Sequence, residues 1–302
     1  MTTNPDSRQL VRDVYFADLR TPEVDLGGLA ATPGITNSIF HTIVGIALDL
    51  GLAAQWAIQD SSGGLVPRDE SQLLPGRYLI LSDQPIVPSA QPFFTRALSG
   101  STGPRLESFK QQVRARDGRC VISKIQCLGP QYDIWRGFEA AHIVPLAYEN
   151  EWNRRGFANL ITIPPPAPRQ SDTVNSVQNG LLMQASLHEL FSSYDFSILP
   201  DAGYKIIFFM PDMYGLAGTS LDRQLLDDPR RPLDALLRWH FEQAVLCNVR
   251  GAGEPSLEHD LPPGSDMMGE ILQGPKAGER MEFELFTRLG ASQMLEESEG
   301  EQ

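Results

Sequence analysis

Two histidines and an asparagine in the middle of this 302-residue chain have the types and spacing for proton transfer beside a bound cation. They are His142, in the run Glu139-Ala140-Ala141-His142-Ile143-Val144-Pro145; Asn179, in Asn179-Gly180-Leu181-Leu182; and His188, nine residues beyond Asn179. Imidazole has a reference pKa of about 6.5, so it exchanges protons near neutral pH, and its neutral form is a common metal ligand. Asn179-Gly180 reads as a turn from strand to helix, with Gly180 able to take a positive φ, and such a turn lets groups from two rigid elements converge. His41, His240 and His259 read as core or surface residues, the ordinary fate of a lone histidine.

The words around these residues are Arg116-Asp117-Gly118-Arg119-Cys120-Val121-Ile122-Ser123, Gly137-Phe138-Glu139-Ala140-Ala141-His142, Asn175-Ser176-Val177-Gln178-Asn179-Gly180-Leu181-Leu182 and Tyr194-Asp195-Phe196-Ser197-Ile198. Together they resemble the HNH, or ββα-metal, endonuclease family in its fungal branch, closely from Arg105 to Asp222 and loosely elsewhere. The resemblance implies metal-dependent hydrolysis of a nucleic-acid phosphodiester. His142 would close a short strand as general base, Asn179 would fix the geometry, and His188, on the following helix, would bind a divalent Mg, Mn or Zn. Such hydrolysis needs a base for the attacking water, a cation for the growing negative charge, and rigid placement of both.

Two positions depart from patterns common in that family. Ala141 stands where many members carry a ligand directly before the base, and Ser192 stands one helical turn beyond His188, where many carry Asp or His. A neutral hydroxyl is a poor ligand for a hard cation. Asp195 and Glu139 therefore become the candidate replacement ligands, and position 192 is expected to be partly solvated. The alternative expectation is a non-nucleolytic HNH-like protein. It would convert a small molecule in a fungal secondary-metabolite pathway, with His142 as acid or base without a metal, or serve as a binding module.

A net charge of −13 argues against a general nucleic-acid binder, because phosphate contacts need Lys and Arg. The charge is uneven: residues 105–169 hold ten Lys or Arg against six Asp or Glu, whereas residues 251–302 hold three against twelve. Arg154, Arg155 and Arg169 are the candidates for facing a phosphate. Nucleic acid and a small-molecule ligand both remain as expected partners. The chain lacks an apolar run of about 18 residues, so a membrane span is not expected. Its first residues lack a cationic segment before an apolar core, so the expectation is an intracellular protein, cytoplasmic or nuclear. Cys120, Cys127 and Cys247 are too few and irregular for a disulfide framework, and Cys120 reads as a core residue on a strand.

The elements that must position the site follow from pattern. Val14-Tyr15-Phe16 and the run ending at Leu81 read as strands, and Thr36 caps a buried helix reaching about Leu50. Gln84 to Pro104, rich in Pro and Ser, reads as a linker. A helix over Leu106 to Arg116 leads to the strands at Cys120 and His142, and the proline-rich stretch from Ile163 to Thr173 reads as a loop beside the site. Helical spacing marks 232–249, and further helix is expected at 275–289 before an acidic disordered tail. The fold expected is α+β: a ββα-metal (HNH) core with a long inter-strand insertion, a small N-terminal α/β unit and C-terminal helices. By residue, 1–104 form the N-terminal unit and linker, 105–225 the nuclease-like domain, and 226–302 the C-terminal helices and tail.

Overall fold

The chain alternates short strands with helices, and a computed structural model describes residues 7–51, 55–94, 104–165, 170–251 and 253. The N-terminal elements are α1 (Ser7–Leu10), β1 (Val14–Asp18), β2 (Asp25–Leu29), α2 (Asn37–Ala47), β3 (Leu48–Asp49), β4 (Trp56–Gln59), β5 (Gly76–Ser82) and β6 (Val87–Pro88). Four of them form a sheet in the order β2-β1-β5-β4, parallel between β1 and β5 and antiparallel elsewhere. The cap expected at Thr36 is present, since its side chain accepts from the Ile39 N–H. That helix buries Ile39, Phe40, Ile43, Val44 and Ala47 in the same core as Val14, Phe16 and Ile80.

The remaining elements are α3 (Pro104–Asp117), β7 (Phe138–His142), α4 (Glu149–Arg154), β8 (Gly180–Gln184), α5 (Ala185–Ser192), β9 (Phe196–Leu199), β10 (Lys205–Phe208), α6 (Arg223–Leu226) and α7 (Asp234–Asn248). The strands β7 and β8 pair antiparallel from Phe138↔Gln184 to His142↔Gly180, and residues 143–179 lie between them in sequence. α5 follows β8 without a break. A second core gathers Ala141, Leu181, Met183, Leu187, Phe191 and Phe208. α7 serves both cores, giving Leu236, Leu237 and Trp239 to this one and Phe241, Ala244 and Val245 to the other. The architecture is mixed α+β, with several small sheets.

Several expectations need correction. No strand forms at Cys120; that residue is fully buried, as expected, but it begins a turn in which the Lys124 N–H donates to its carbonyl. Asn179 ends a 3-10 turn, Val177–Asn179, at the start of β8, so Asn179-Gly180 leads into a strand, and the strand-to-helix junction lies at Gln184-Ala185. Gly180 has φ −128°, an extended value open to any residue. Glycine is needed there for space, since a Cβ would sit 2.5 Å from Val113 Cγ2 and 2.7 Å from Phe109 Cε2. β2 forms where no strand was expected; within it Gly27 lies so close to the Phe16 ring and the Val249 carbonyl that no side chain fits. Part of the stretch read as linker is packed, with Ile86 and Phe93 in the first core. The expected helix at 275–289 and the acidic tail lie outside the described residues.

Candidate active site

Alternation along β7 divides the site between two faces of the β7–β8 ribbon. Phe138 and Ala140 pack with Phe109, Val113 and Leu182, on the α3 side. Ala141 packs with Leu181, Leu187 and Phe191, on the α5 side. His142 belongs to the α3 face: its ring stacks on Phe109 at 3.8 Å between centroids. Its Nε2 meets Asn175 Oδ1 at 3.1 Å. An amide oxygen only accepts, so in this contact the Nε2–H donates to Asn175.

Asn179 is fully buried and acts as a clamp. Its Oδ1 accepts from the Val144 N–H at 2.9 Å, and its Nδ2 donates to the carbonyls of Val144 at 2.9 Å and Val174 at 2.8 Å. The backbone just after His142 is thereby fixed to the segment that carries Asn175. A second brace comes from the last turn of α3, where Arg116 and Asp117 form an ion pair with both side chains sealed from solvent. Arg116 donates to the carbonyls of Val177 and Gly180, on either side of Asn179, and Asp117 accepts from the Leu182 N–H. Every member of the network has a partner, which is the condition for a buried pair to hold its surroundings in one arrangement.

His188 lies on the other face, where its Nδ1–H donates to Glu139 Oε2 at 2.6 Å. This hydrogen bond holds the Glu139 carboxyl below the usual carboxylate range, against partial burial that works the other way. Two of the expected ligands thus meet. Asp195 is not with them: its carboxylate pairs with Arg8 at 3.3 Å. Ala141 is fully buried, and Ser192 is 9% exposed, contrary to the expectation that position 192 is solvated. Among the described residues no three His, Cys, Asp or Glu side chains are grouped to hold a metal ion. The two donors do not fit a closed tetrahedral zinc site, which needs four. One imidazole and one carboxylate are donors of the types that an open divalent-cation site uses, with water filling the remaining positions.

Two of the arginines expected to face a phosphate, Arg154 and Arg155, are engaged by carboxylates of the protein itself. Arg154 makes two bonds of 2.7 Å to the buried Glu151, and Arg155 bonds Glu151 at 2.6 Å and Glu242 at 2.8 Å. Burial alone would raise the Glu151 pKa, and the two guanidinium groups outweigh it and lower the value. Helical spacing explains the pairing, since Arg154, the last residue of α4, and Arg155, its C-cap, lie three and four residues beyond Glu151. Arg169 lies outside the described residues. His41 and His240 are core residues as expected: His240 bonds Ser197 and the Phe191 carbonyl and stacks on Phe191. His259 is outside the described residues.

Sequence reading missed Phe109, Asn175 and the Arg116–Asp117 brace. Asn175, Arg116 and Asp117 all stand inside words already singled out, so their presence there was the signal. Phe109 lies 33 positions before His142 and carried no local signal.

A family model described as HNH endonuclease matches residues 120–199, the segment that contains His142, Asn179 and His188. A second model, described as a domain of unknown function (DUF8573), matches residues 11–87, which hold the four-stranded sheet. No curated protein and no solved structure matches the chain. The match over 120–199 supports the HNH family and a nuclease-like domain. Among the described residues no helix is long and apolar enough to cross a membrane.

Proposed function

We propose that residues 105–225 carry an HNH-type endonuclease unit that hydrolyses nucleic-acid phosphodiester bonds with the help of a divalent cation. Residues 1–104 and 226–302 would frame it. The observation that carries the proposal is the meeting of Glu139 with His188 at 2.6 Å on the ribbon that ends in His142. Glu139 and His188 would hold the cation, Mg, Mn or Zn, and when bound it would supply positive charge for the phosphoryl and leaving oxygens. His142 would take a proton from the attacking water as the new P–O bond forms and the bond to the leaving oxygen breaks. Asn179 and the Arg116–Asp117 brace would keep His142 aligned. Among the described residues β7 pairs with β8 alone, and a phosphodiester lying across its other edge would meet both faces of the ribbon.

A second reading is favoured by the burial of Ala141 and Ser192. In it the scaffold has lost its metal ligands and serves as a binding module, or converts a small molecule in a fungal secondary-metabolite pathway with His142 as acid or base. Calorimetric titration of Mn²⁺ separates the two. The nuclease proposal expects binding to the wild type, weakened about tenfold or more, or about 1.4 kcal/mol, in both Glu139→Gln and His188→Ala. Absence of Mn²⁺ and Mg²⁺ binding to folded wild type would leave the second reading.

A further inference from the structure

The groups that brace His142 fix its backbone and leave open how its ring is turned. Asn179 clamps the N–H and carbonyl of Val144, two residues further on, and Arg116 grips the carbonyls of Val177 and Gly180. The ring turns about the Cβ–Cγ bond, a torsion that is broad and roughly two-fold for an imidazole. The Phe109 stack narrows this to rings lying flat on the phenyl face. A half-turn keeps that plane and exchanges the places of nitrogen and carbon, so the stack does not choose between the two. One contact does. His142 Nε2 meets Asn175 Oδ1 at 3.1 Å, and the half-turn would put a ring carbon there instead.

Asn175 is itself held in place. It ends the 3-10 helix Gln170–Asn175 and is 8% exposed. The Val174 carbonyl before it accepts from Asn179 Nδ2. After it, the Ser176 N–H donates to the Thr173 carbonyl at 3.0 Å, and Ser176 Oγ donates to the Ile163 carbonyl at 2.7 Å. The clamp that fixes the backbone after His142 therefore also fixes the backbone beside Asn175, so imidazole and acceptor are set against each other by one residue, Asn179.

We infer that Asn175 is the positioning residue of His142, which selects the ring orientation and keeps a proton on Nε2. A carboxamide oxygen has no proton to give, so Asn175 acts only through His142. The Nε2–H donates to it from the neutral ring and from the imidazolium, more strongly from the latter. The ring then has no need to turn when it takes a proton. The catalytic consequence rests on the reading of His142 as general base; the orientation does not.

Two-bond proton–nitrogen NMR correlation on protein labelled at the histidine nitrogens tests the orientation without a cleavage assay. The chain has five histidines, and the spectrum of His142→Gln identifies the His142 signals. At a pH where the ring is neutral, wild-type Nε2 should show the shift of a protonated nitrogen. A bare Nε2 overturns the inference, because the Asn175 amide would then present its NH2 to the ring. Asn175→Leu removes the acceptor at similar volume and should move the His142 signals toward a mixture of tautomers, and Asn175→Asp, which still accepts, should restore the Nε2–H. Full retention of the Nε2–H in Asn175→Leu, with the fold intact by circular dichroism, equally overturns the inference. In plasmid nicking, Asn175→Leu should lower kcat by about tenfold or more with KM little changed, since a misplaced group can cost about a hundredfold. Asn175→Asp should recover kcat at least in part. A mixture of tautomers with unchanged kcat would overturn the positioning role and leave the nuclease proposal standing. Wild type that keeps the Nε2–H but does not nick would strike the nuclease proposal and leave the orientation standing.

Discussion

The imidazole of His142 lies on the Phe109 ring with planes 8° from parallel, so the proposed base is held by an aromatic face from a helix distant in sequence. Phe109 is fully buried. Phe109→Leu keeps an apolar side chain but removes the stack, and should lower stability by about 1–2 kcal/mol. The urea midpoint measures it. A loss below about 0.5 kcal/mol, within ordinary scatter for surface changes, would mean that the ring contact is not made.

Asn179→Ala leaves the Val144 N–H and two buried carbonyls without their partner. Each orphaned group costs about 1–3 kcal/mol, so a loss of about 2 kcal/mol or more is expected. Asn179→Asp should be worse at pH 7 than at pH 4. Its carboxylate would face the carbonyls of Val144 and Val174, which raises its folded pKa above the unfolded value of about 3.9. The added destabilisation then appears as pH rises past that unfolded value. Denaturation at both pH values checks the order, and equal losses would contradict it.

Because Ser192 is buried, Ser192→Asp places a carboxylate in an apolar setting and should cost about 1–3 kcal/mol in metal-free buffer. Differential scanning calorimetry with and without Mn²⁺ gives the readout. A variant as stable as wild type without metal would show that position 192 is solvated and that the helix is turned differently.

The Glu139–His188 contact gives a pH signature. A carboxyl with a lowered pKa contributes stability that is present above its unfolded value, near 4.5, and lost as pH falls through the folded value. Glu139→Gln should therefore flatten the acid limb of the stability profile, by a small amount because Glu139 is half exposed. Parallel acid limbs for the two proteins would mean that the hydrogen bond does not persist in solution.

How much of this was legible in the sequence depends on the reach of each interaction. Helix α2 with its Thr36 cap and α7 follow from local pattern, because caps and periodicity act within a few residues, whereas the end of β7 at His142 was implied by the resemblance. The Glu139–His188 pairing required the register of β7 on β8, and the register fixed which face each residue joined. Asp195 stood closer to His188 in sequence, yet Arg8, from the N-terminal helix, draws its carboxylate away. Nothing local to Gly27 shows that the Phe16 ring and the Val249 carbonyl leave no room for a side chain there. Such contacts between distant segments are set by the packed cores, not by the residues beside them.

The central claim is tested most directly by nicking of supercoiled plasmid in Mg²⁺ or Mn²⁺ by wild type and His142→Ala, purified identically. General-base catalysis contributes about 10²–10⁴-fold, so the account predicts cation-dependent nicking by wild type and a loss of at least about a hundredfold in the variant. Equal nicking by both proteins, or none by wild type with either cation, would contradict it.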